Sequence, residues 1–393
     1  MFYIGIDIAK HKHEALIIDS DGKLLCESIS FSNTQKGCEK LLALMQKFTV
    51  TADSCIIGME ATGHYWLSVY SYLLELGYDL NVINPIPSDS FRKMYIRQTK
   101  NDSKDSFAIA QIMRFGQFSS TSLSSENIMA LRQLSRYRLF LVDECSDYKR
   151  KVICSLDQIF PEYSKLFSDT FGVTSSELLH KYPTPEDMLS VSTTKLTNFI
   201  SKCSNGRFGR EKAIQIKDAF ANSFGVKFAA DAFAFQIRQM LVQISFIENQ
   251  LDELEVQITN MLFEENQVIT TIPGIGNILG AIIISEIGDI SRFDSASKLV
   301  AFAGLDVSVK QSGEFVGTKN KISKRGSPYL RRAIWTAASR AAFCDPVLSD
   351  YYQSLRTRGK HHLTAVGVVA RKLCNIIFAV LRDNKPYQPM HKN

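Results

Sequence analysis

Phe2-Tyr3-Ile4-Gly5-Ile6-Asp7-Ile8-Ala9-Lys10 is the stretch on which the fold turns. Aromatic and β-branched residues followed by alternation predict an opening strand. Strand alternation sends Ile4, Ile6 and Ile8 to one face and Gly5 and Asp7 to the other. Asp7 is thus set in an apolar strand, and a buried carboxylate requires a cation or a set of hydrogen bonds. The rest of the chain can be searched for that partner.

Working outward, Asp19-Ser20-Asp21-Gly22 carries a hairpin turn signal. Residues 34–48 have helical spacing through Leu41, Leu42, Met45 and Phe48. Ser54-Cys55-Ile56-Ile57-Gly58-Met59-Glu60 reads as a second buried strand, ending on a second carboxylate. The turn Ala61-Thr62-Gly63 and a helix over 65–76 follow. Asp79-Leu80-Asn81-Val82-Ile83-Asn84-Pro85 is a third strand, stopped by proline. A helix is expected over 104–115. Strands alternating with helices predict an α/β domain over 1–125.

Beyond it the pattern is helical. Residues 126–267 form a helical linker with a basic set, Arg132, Arg136, Arg138, Lys149, Arg150 and Lys151. Within it, 165–224 is Ser/Thr-rich and reads as short helices in an insertion. Ile237, Leu241, Ile244, Ile247, Leu251, Leu254, Ile258 and Leu262 then recur at threes and fours. Such a seam either packs on its own domain or joins two copies as a coiled coil over 230–265. The last segment, 268–393, is mainly α. Its Ile272-Pro273-Gly274-Ile275-Gly276 resembles the hairpin of a helix-hairpin-helix element, where the amides of Gly274 and Gly276 could approach a phosphate. The alternative is an ordinary turn between helices.

Hydrophobic residues make up 45% of the chain and charged residues 22%, the balance of a globular protein. The net charge of +6 is modest, but 309–332 alone holds seven basic residues and one acidic, Glu314. A patch of this kind suits a phosphate backbone. Eight cysteines without a C-x-x-C pair argue against zinc and for reduced thiols in a cytoplasmic setting. No secretory leader is visible, and the longest apolar run, 278–284, is too short to span a bilayer.

Asp7, Glu60, Asp102 and Asp105 form a constellation. A strand Asp, a strand-end Glu and two Asp one helical turn apart are what a two-metal site needs. Oxygen ligands suit Mg²⁺ or Mn²⁺, and carboxylates gathered without a cation would take up protons. Asp102 as a helix cap, Asp105 as a first-turn charge and Glu60 as a surface residue are the bland alternatives. Four carboxylates in this order on these elements point to a ribonuclease-H-like nuclease domain. Gly5-Ile6-Asp7-Ile8 also resembles the first phosphate motif of sugar-kinase and actin-like ATPases, but Ala9-Lys10-His11 stands where that motif has Gly and Thr/Ser.

The chain resembles the DEDD transposases of the insertion-sequence "one-ten" family. The matching pieces are Gly5-Ile6-Asp7-Ile8-Ala9-Lys10, Met59-Glu60-Ala61-Thr62-Gly63 and Lys100-Asn101-Asp102-Ser103-Lys104-Asp105. Toward the C-terminus they are Thr271-Ile272-Pro273-Gly274-Ile275-Gly276, Ala301-Phe302-Ala303-Gly304-Leu305, Gln311-Ser312-Gly313 and Lys324-Arg325-Gly326-Ser327-Pro328-Tyr329-Leu330-Arg331. The resemblance implies a RuvC-like domain with Asp7, Glu60, Asp102 and Asp105 as metal ligands. It implies a C-terminal transposase domain whose Ser312 attacks DNA and becomes a phosphoserine. It also implies an element-encoded bridge RNA that pairs with donor and target DNA, and active-site halves that meet across a homodimer or homotetramer.

On charge, Lys310, Lys319, Lys321, Lys324, Arg325 and Arg331 are expected to grip nucleic-acid backbone, with Arg132 and Arg136 holding guide RNA or duplex. Ser308, Ser323 and Ser327 are rivals of Ser312 as nucleophile. Two other readings stand beside the recombinase. One is a RuvC-like, structure-specific nuclease that only hydrolyses; the other is a nucleic-acid-binding protein without catalysis.

Overall fold

The computed structural model describes residues 1–61, 63–83, 102–116, 125–265, 268–307, 311–312, 315–316 and 321–389, with backbone alone at 102, 103, 311, 312, 315 and 316. The chain divides into two compact units, Met1–Leu123 and Ser124–Asn393.

In the first unit, β1 (Phe2–Asp7), β2 (Lys12–Ile18) and β3 (Ile29–Ser32) are antiparallel, while β4 (Cys55–Glu60) and β5 (Asp79–Ile83) run parallel to β1. The order is β3-β2-β1-β4-β5, a mixed five-stranded sheet compatible with a ribonuclease-H-like domain. The expected turn closes β2: the Asp19 carboxylate accepts from the amides of Asp21 and Lys23. Helices α1 (Gln35–Lys47) and α2 (Trp66–Glu75) cover one face. There Ile4, Ile6 and Ile8 join Ile17, Leu41, Met45 and Val69 in the core. Thr34 caps α1, its hydroxyl accepting from the Gly37 amide at 3.2 Å.

The opposite face carries α3 (Asp102–Phe115). Its approach depends on two glycines that are register partners, Gly5 on β1 and Gly58 on β4. A Cβ on Gly5 would lie 1.9 Å from the Ser106 carbonyl oxygen and 2.6 Å from the Ala110 nitrogen. One on Gly58 would lie 2.5 Å from the Met113 side chain. The paired glycines lower α3 onto the sheet, where Ile109, Ile112 and Met113 pack with Ile83. Gly5→Ala forces backbone against backbone and should destabilise the unit by about 3 kcal/mol. Chemical denaturation checks this; a midpoint equal to wild type would refute the close approach.

In the second unit α4 (Glu126–Ile159) runs antiparallel to α9 (Ala230–Glu264), tied by Arg138–Glu255 and Lys149–Glu248 pairs, each at 2.6 Å. The seam residues Ile237, Leu241, Ile244, Ile247, Leu254, Ile258 and Leu262 are buried within this chain. Of the two expectations for that seam, packing on its own unit is the one observed. Between the long helices stand α5 (Val173–Lys181), α6 (Pro185–Ser190), α7 (Thr193–Cys203) and α8 (Arg210–Ala221), the short helices expected of the insertion.

The unit continues with α10 (Asn277–Ile287), α11 (Ala296–Phe302), a ribbon of β6 (Gln311–Ser312) and β7 (Phe315–Val316), then α12 (Pro328–Cys344), α13 (Pro346–Thr357) and α14 (His362–Asp383). The segments 126–267 and 268–393 share one hydrophobic core. Helix α14 is long and apolar enough to cross a membrane by composition. Here Val369, Leu373 and Ile377 are fully buried in that shared core. All eight cysteines are unpaired thiols.

Candidate functional site

Asp7 ends β1 and Glu60 ends β4. The parallel register sets Ile6 beside Met59, so the next residues, Asp7 and Glu60, are lateral neighbours. They share the face of Gly5 and Gly58, the face that α3 covers. Helix α3 runs against β1. Its Ser106 lies over Gly5, while Gln111 reaches the Gly22 carbonyl at 3.3 Å, beyond the other end of the strand. The N-terminus of α3 therefore lies toward the strand ends that carry Asp7 and Glu60. Asp105 sits in that first turn and is buried, as is Glu60. Asp102 opens the helix one turn earlier, and its side chain lies outside the described residues.

The structure adds a carboxylate absent from the sequence reading. Glu14 on β2 is the register partner of Asp7. Directly opposed residues of an antiparallel pair point to one face, so half-buried Glu14 stands beside Asp7. Counting back across the hairpin from Asp7 would have found it.

Three acidic positions on neighbouring strands, with a helical Asp at the same end, repel one another unless a cation is present. The donors are all oxygen, which fits a divalent ion such as Mg²⁺ or Mn²⁺. Among the described residues, no three His, Cys, Asp or Glu side chains close into a metal cage. The fit therefore rests on donor chemistry and on the shared sheet face, with Asp102 the member whose carboxylate is not described.

The second candidate set belongs to the segment of sequence that contains β6 and β7. The backbone of Ser312 pairs with Phe315. The Ser312 side chain, Ser308, Lys310 and Lys319 lie outside the described residues. The described chain on either side of this segment is interlocked by glycines. Gly304 has φ +66°, and a Cβ there would lie 2.2 Å from the Arg325 carbonyl oxygen. Gly326 has φ +85°, and a Cβ there would lie 2.1 Å from the Phe302 carbonyl oxygen. Amides of Lys324 and Ser327 donate to the carbonyls of Gly304 and Phe302. Lys321, Lys324 and Arg325 are exposed along this edge, and Arg331 is half-buried.

Two rival serines have structural partners. Ser323 bonds the Asp306 carboxylate. Ser327 caps α12, accepting from the Leu330 amide at 3.1 Å and donating to Glu286 at 2.7 Å.

Two basic residues expected to hold nucleic acid are engaged inside the unit. Arg136 makes two bonds to buried Glu286, at 2.6 and 3.1 Å, and lies over the Tyr329 ring. Arg132 donates to the Ser285 carbonyl at 2.6 Å. Both residues sit where α4 meets α10, whose polar residues Ser285 and Glu286 require buried partners. Gly274 is likewise committed: at φ +93° its bare Cα lies against α12, where a Cβ would meet Ala337 and Ala341 backbone at 2.9 Å. Gly276 is exposed at the head of α10, with nothing nearby.

Comparison with known proteins matches two stretches of the chain, the first running past Leu123 through α4. Residues 4–161 match the family model of DEDD transposases of the IS110 type, described as transposase. Residues 266–353 match the model described as transposase, IS116/IS110/IS902 family. The chain is similar to the pilin gene-inverting protein of Moraxella bovis, at 24% identity over 98% of this chain and 97% of that protein. It is also similar to an uncharacterized insertion element IS900 protein of Mycobacterium paratuberculosis, at 26% identity over 98% and 97%. An uncharacterized insertion element IS110 protein of Streptomyces coelicolor is 23% identical over 98% of this chain and 95% of its own length.

Proposed function

The chain belongs to the IS110/IS116/IS902 family of transposases, enzymes that act on DNA, and from that premise we propose that it cuts and rejoins DNA with an acidic metal site and a serine nucleophile. The observation that carries this reading is the pairing of Asp7 with Glu60 at adjacent parallel strand ends, beneath the N-terminus of α3 and buried Asp105.

Family membership implies a divalent metal. Asp7, Glu60, Asp102 and Asp105 would hold it, as Mg²⁺ or Mn²⁺. Bound there, it would stabilise charge on the attacking and leaving oxygens of a phosphodiester. Ser312 is the nucleophile: its oxygen attacks the scissile phosphorus and forms a phosphoserine ester as the bond to a deoxyribose oxygen breaks. The hydroxyl of an incoming strand then reverses the step and frees the serine. Serine is weak until a base or cation assists loss of its proton, so Ser312 depends on the acidic set. Lys321, Lys324, Arg325 and Arg331, with Lys310 and Lys319, neutralise the phosphates of the bound strand.

An element-encoded RNA that pairs with donor and target DNA is part of this reading, supported by the family resemblance and by the basic 309–332 segment. Copies of the chain associate as a homodimer or homotetramer through 230–265. With the inner seam used against α4, the outward side chains Phe235, Val242, Phe246 and Val256 on α9 are left for that contact.

The test is covalent trapping. Purified protein, Mg²⁺, element-end DNA and RNA from the element's flank are combined and run on a denaturing gel. A protein–DNA adduct in wild type that is absent from Ser312→Ala is expected. Cleaved DNA without an adduct, with Ser312→Ala fully active, would establish the hydrolytic nuclease instead.

A further inference from the structure

We propose that the cavity formed by residues 207–215 of the insertion binds the phosphodiester backbone of a nucleic acid, at a site separate from both catalytic sets. The inference rests on the recombinase reading, which supplies the nucleic acid.

The cavity is open, about 760 Å³, and is lined by Arg207, Phe208, Gly209, Arg210, Glu211, Lys212 and Gln215. Three cations thus face one carboxylate, and among the described residues none of the three is ion-paired. Several half-buried cations of this unit have acids: Arg136 has Glu286, Arg138 has Glu255 and Lys149 has Glu248. Lys212 has no such acid among the described residues. Its ammonium is half-buried, donates to the Leu166 carbonyl and to Gln215, and lies 5.1 Å from the Phe167 ring and 5.7 Å from Phe208. Burial lowers its pKa, with no carboxylate to restore it. A cation desolvated without a counter-ion costs free energy that an incoming anion returns.

The surroundings select the anion. Arg207 packs over Phe208, which aims a planar fork of donors outward from an aromatic wall. Gly209 heads α8 with no side-chain cap, so first-turn amides are left to the ligand. Fork, ammonium and amides converging on an open cavity fit phosphate oxygens. The opening and the exposure of Arg207 and Arg210 fit a polymer passing across, where a small anion would be enclosed.

The experiment uses full-length protein and fluorescence anisotropy with two labelled probes, a random-sequence DNA duplex and an RNA hairpin, over a salt titration. Arg207→Glu/Arg210→Glu is compared with wild type and with Lys36→Glu/Lys47→Glu, two exposed lysines of the first unit that change net charge equally. Lys212→Gln is the milder second variant. For at least one probe, the cavity variant should bind at least tenfold more weakly, and its log K–log salt slope should fall by about two, near 0.9 per phosphate contact. Whichever probe responds identifies the nucleic acid. Losses no larger than those of the control pair, for both probes, would overturn the proposal. Wild type that binds neither probe would overturn it together with the recombinase reading. Unchanged binding in variants that still form the covalent adduct would overturn this inference alone.

Discussion

Asp7→Asn should abolish strand cleavage and covalent adduct formation, lowering the rate by about 10³-fold or more. The substitution keeps shape and hydrogen-bonding capacity but removes a negative charge from the end of β1. That end faces Glu60 on β4 and lies under the first turn of α3. A bound divalent ion contributes several kcal/mol of transition-state charge stabilisation, and each 1.36 kcal/mol is a factor of ten. The fold should survive, because Ile4, Ile6 and Ile8 on the other face carry the core. Circular dichroism and Mn²⁺ titration by electron paramagnetic resonance separate the two effects. Native melting with weakened Mn²⁺ binding and lost cleavage is expected. Retained cleavage would remove Asp7 from the metal set.

Much of this first unit was legible because alternation in strands is a local signal. Ile4, Ile6 and Ile8 against Gly5 and Asp7 gave the two faces, and Glu60 at the end of an apolar run gave the second carboxylate. Strand order was not local. The pairing of Gly5 with Gly58, which lets α3 descend, appears only when β1 and β4 are neighbours. Glu14 was overlooked for a related reason: its meaning comes from the residue opposite it, Asp7, and no motif contains it.

In the second unit, spacing found the long helices but not what their charges meet. A basic helix surface and a helix whose arginines serve buried acids look alike in sequence. Arg136 and Arg138 are separated by 150 and 117 positions from the glutamates that neutralise them. Seam periodicity was equally silent on whether the matching helix belongs to the same chain. The insertion held no motif, and the one feature it offers, Arg207, Arg210 and Lys212 around a cavity, requires the turn at Gly209 to gather them.

Arg136→Met should destabilise the second unit more than Glu286→Ala, although both delete the same ion pair. The asymmetry follows from burial. The Glu286 side chain is 3% exposed and that of Arg136 is 40% exposed. Removing the acid leaves an arginine that can turn to water and keep its place over Tyr329. Removing the arginine takes both of its hydrogen bonds from a carboxylate buried in the core, leaving the Ser327 hydroxyl and the neighbouring Arg132 and Arg292 charges. Breaking a buried pair this way costs about 3–5 kcal/mol. For a unit of this size that corresponds to a fall in melting temperature of roughly 6–15 °C. Glu286→Ala should cost about half as much, and part of its cost is the loosened N-cap of α12, since Ser327 loses its acceptor. Differential scanning calorimetry of the two variants and the double mutant gives the coupling directly. Equal losses for both single variants would mean that Glu286 finds water or another donor once Arg136 is gone, and that the pair is not the buried tie between α4 and α10 described above.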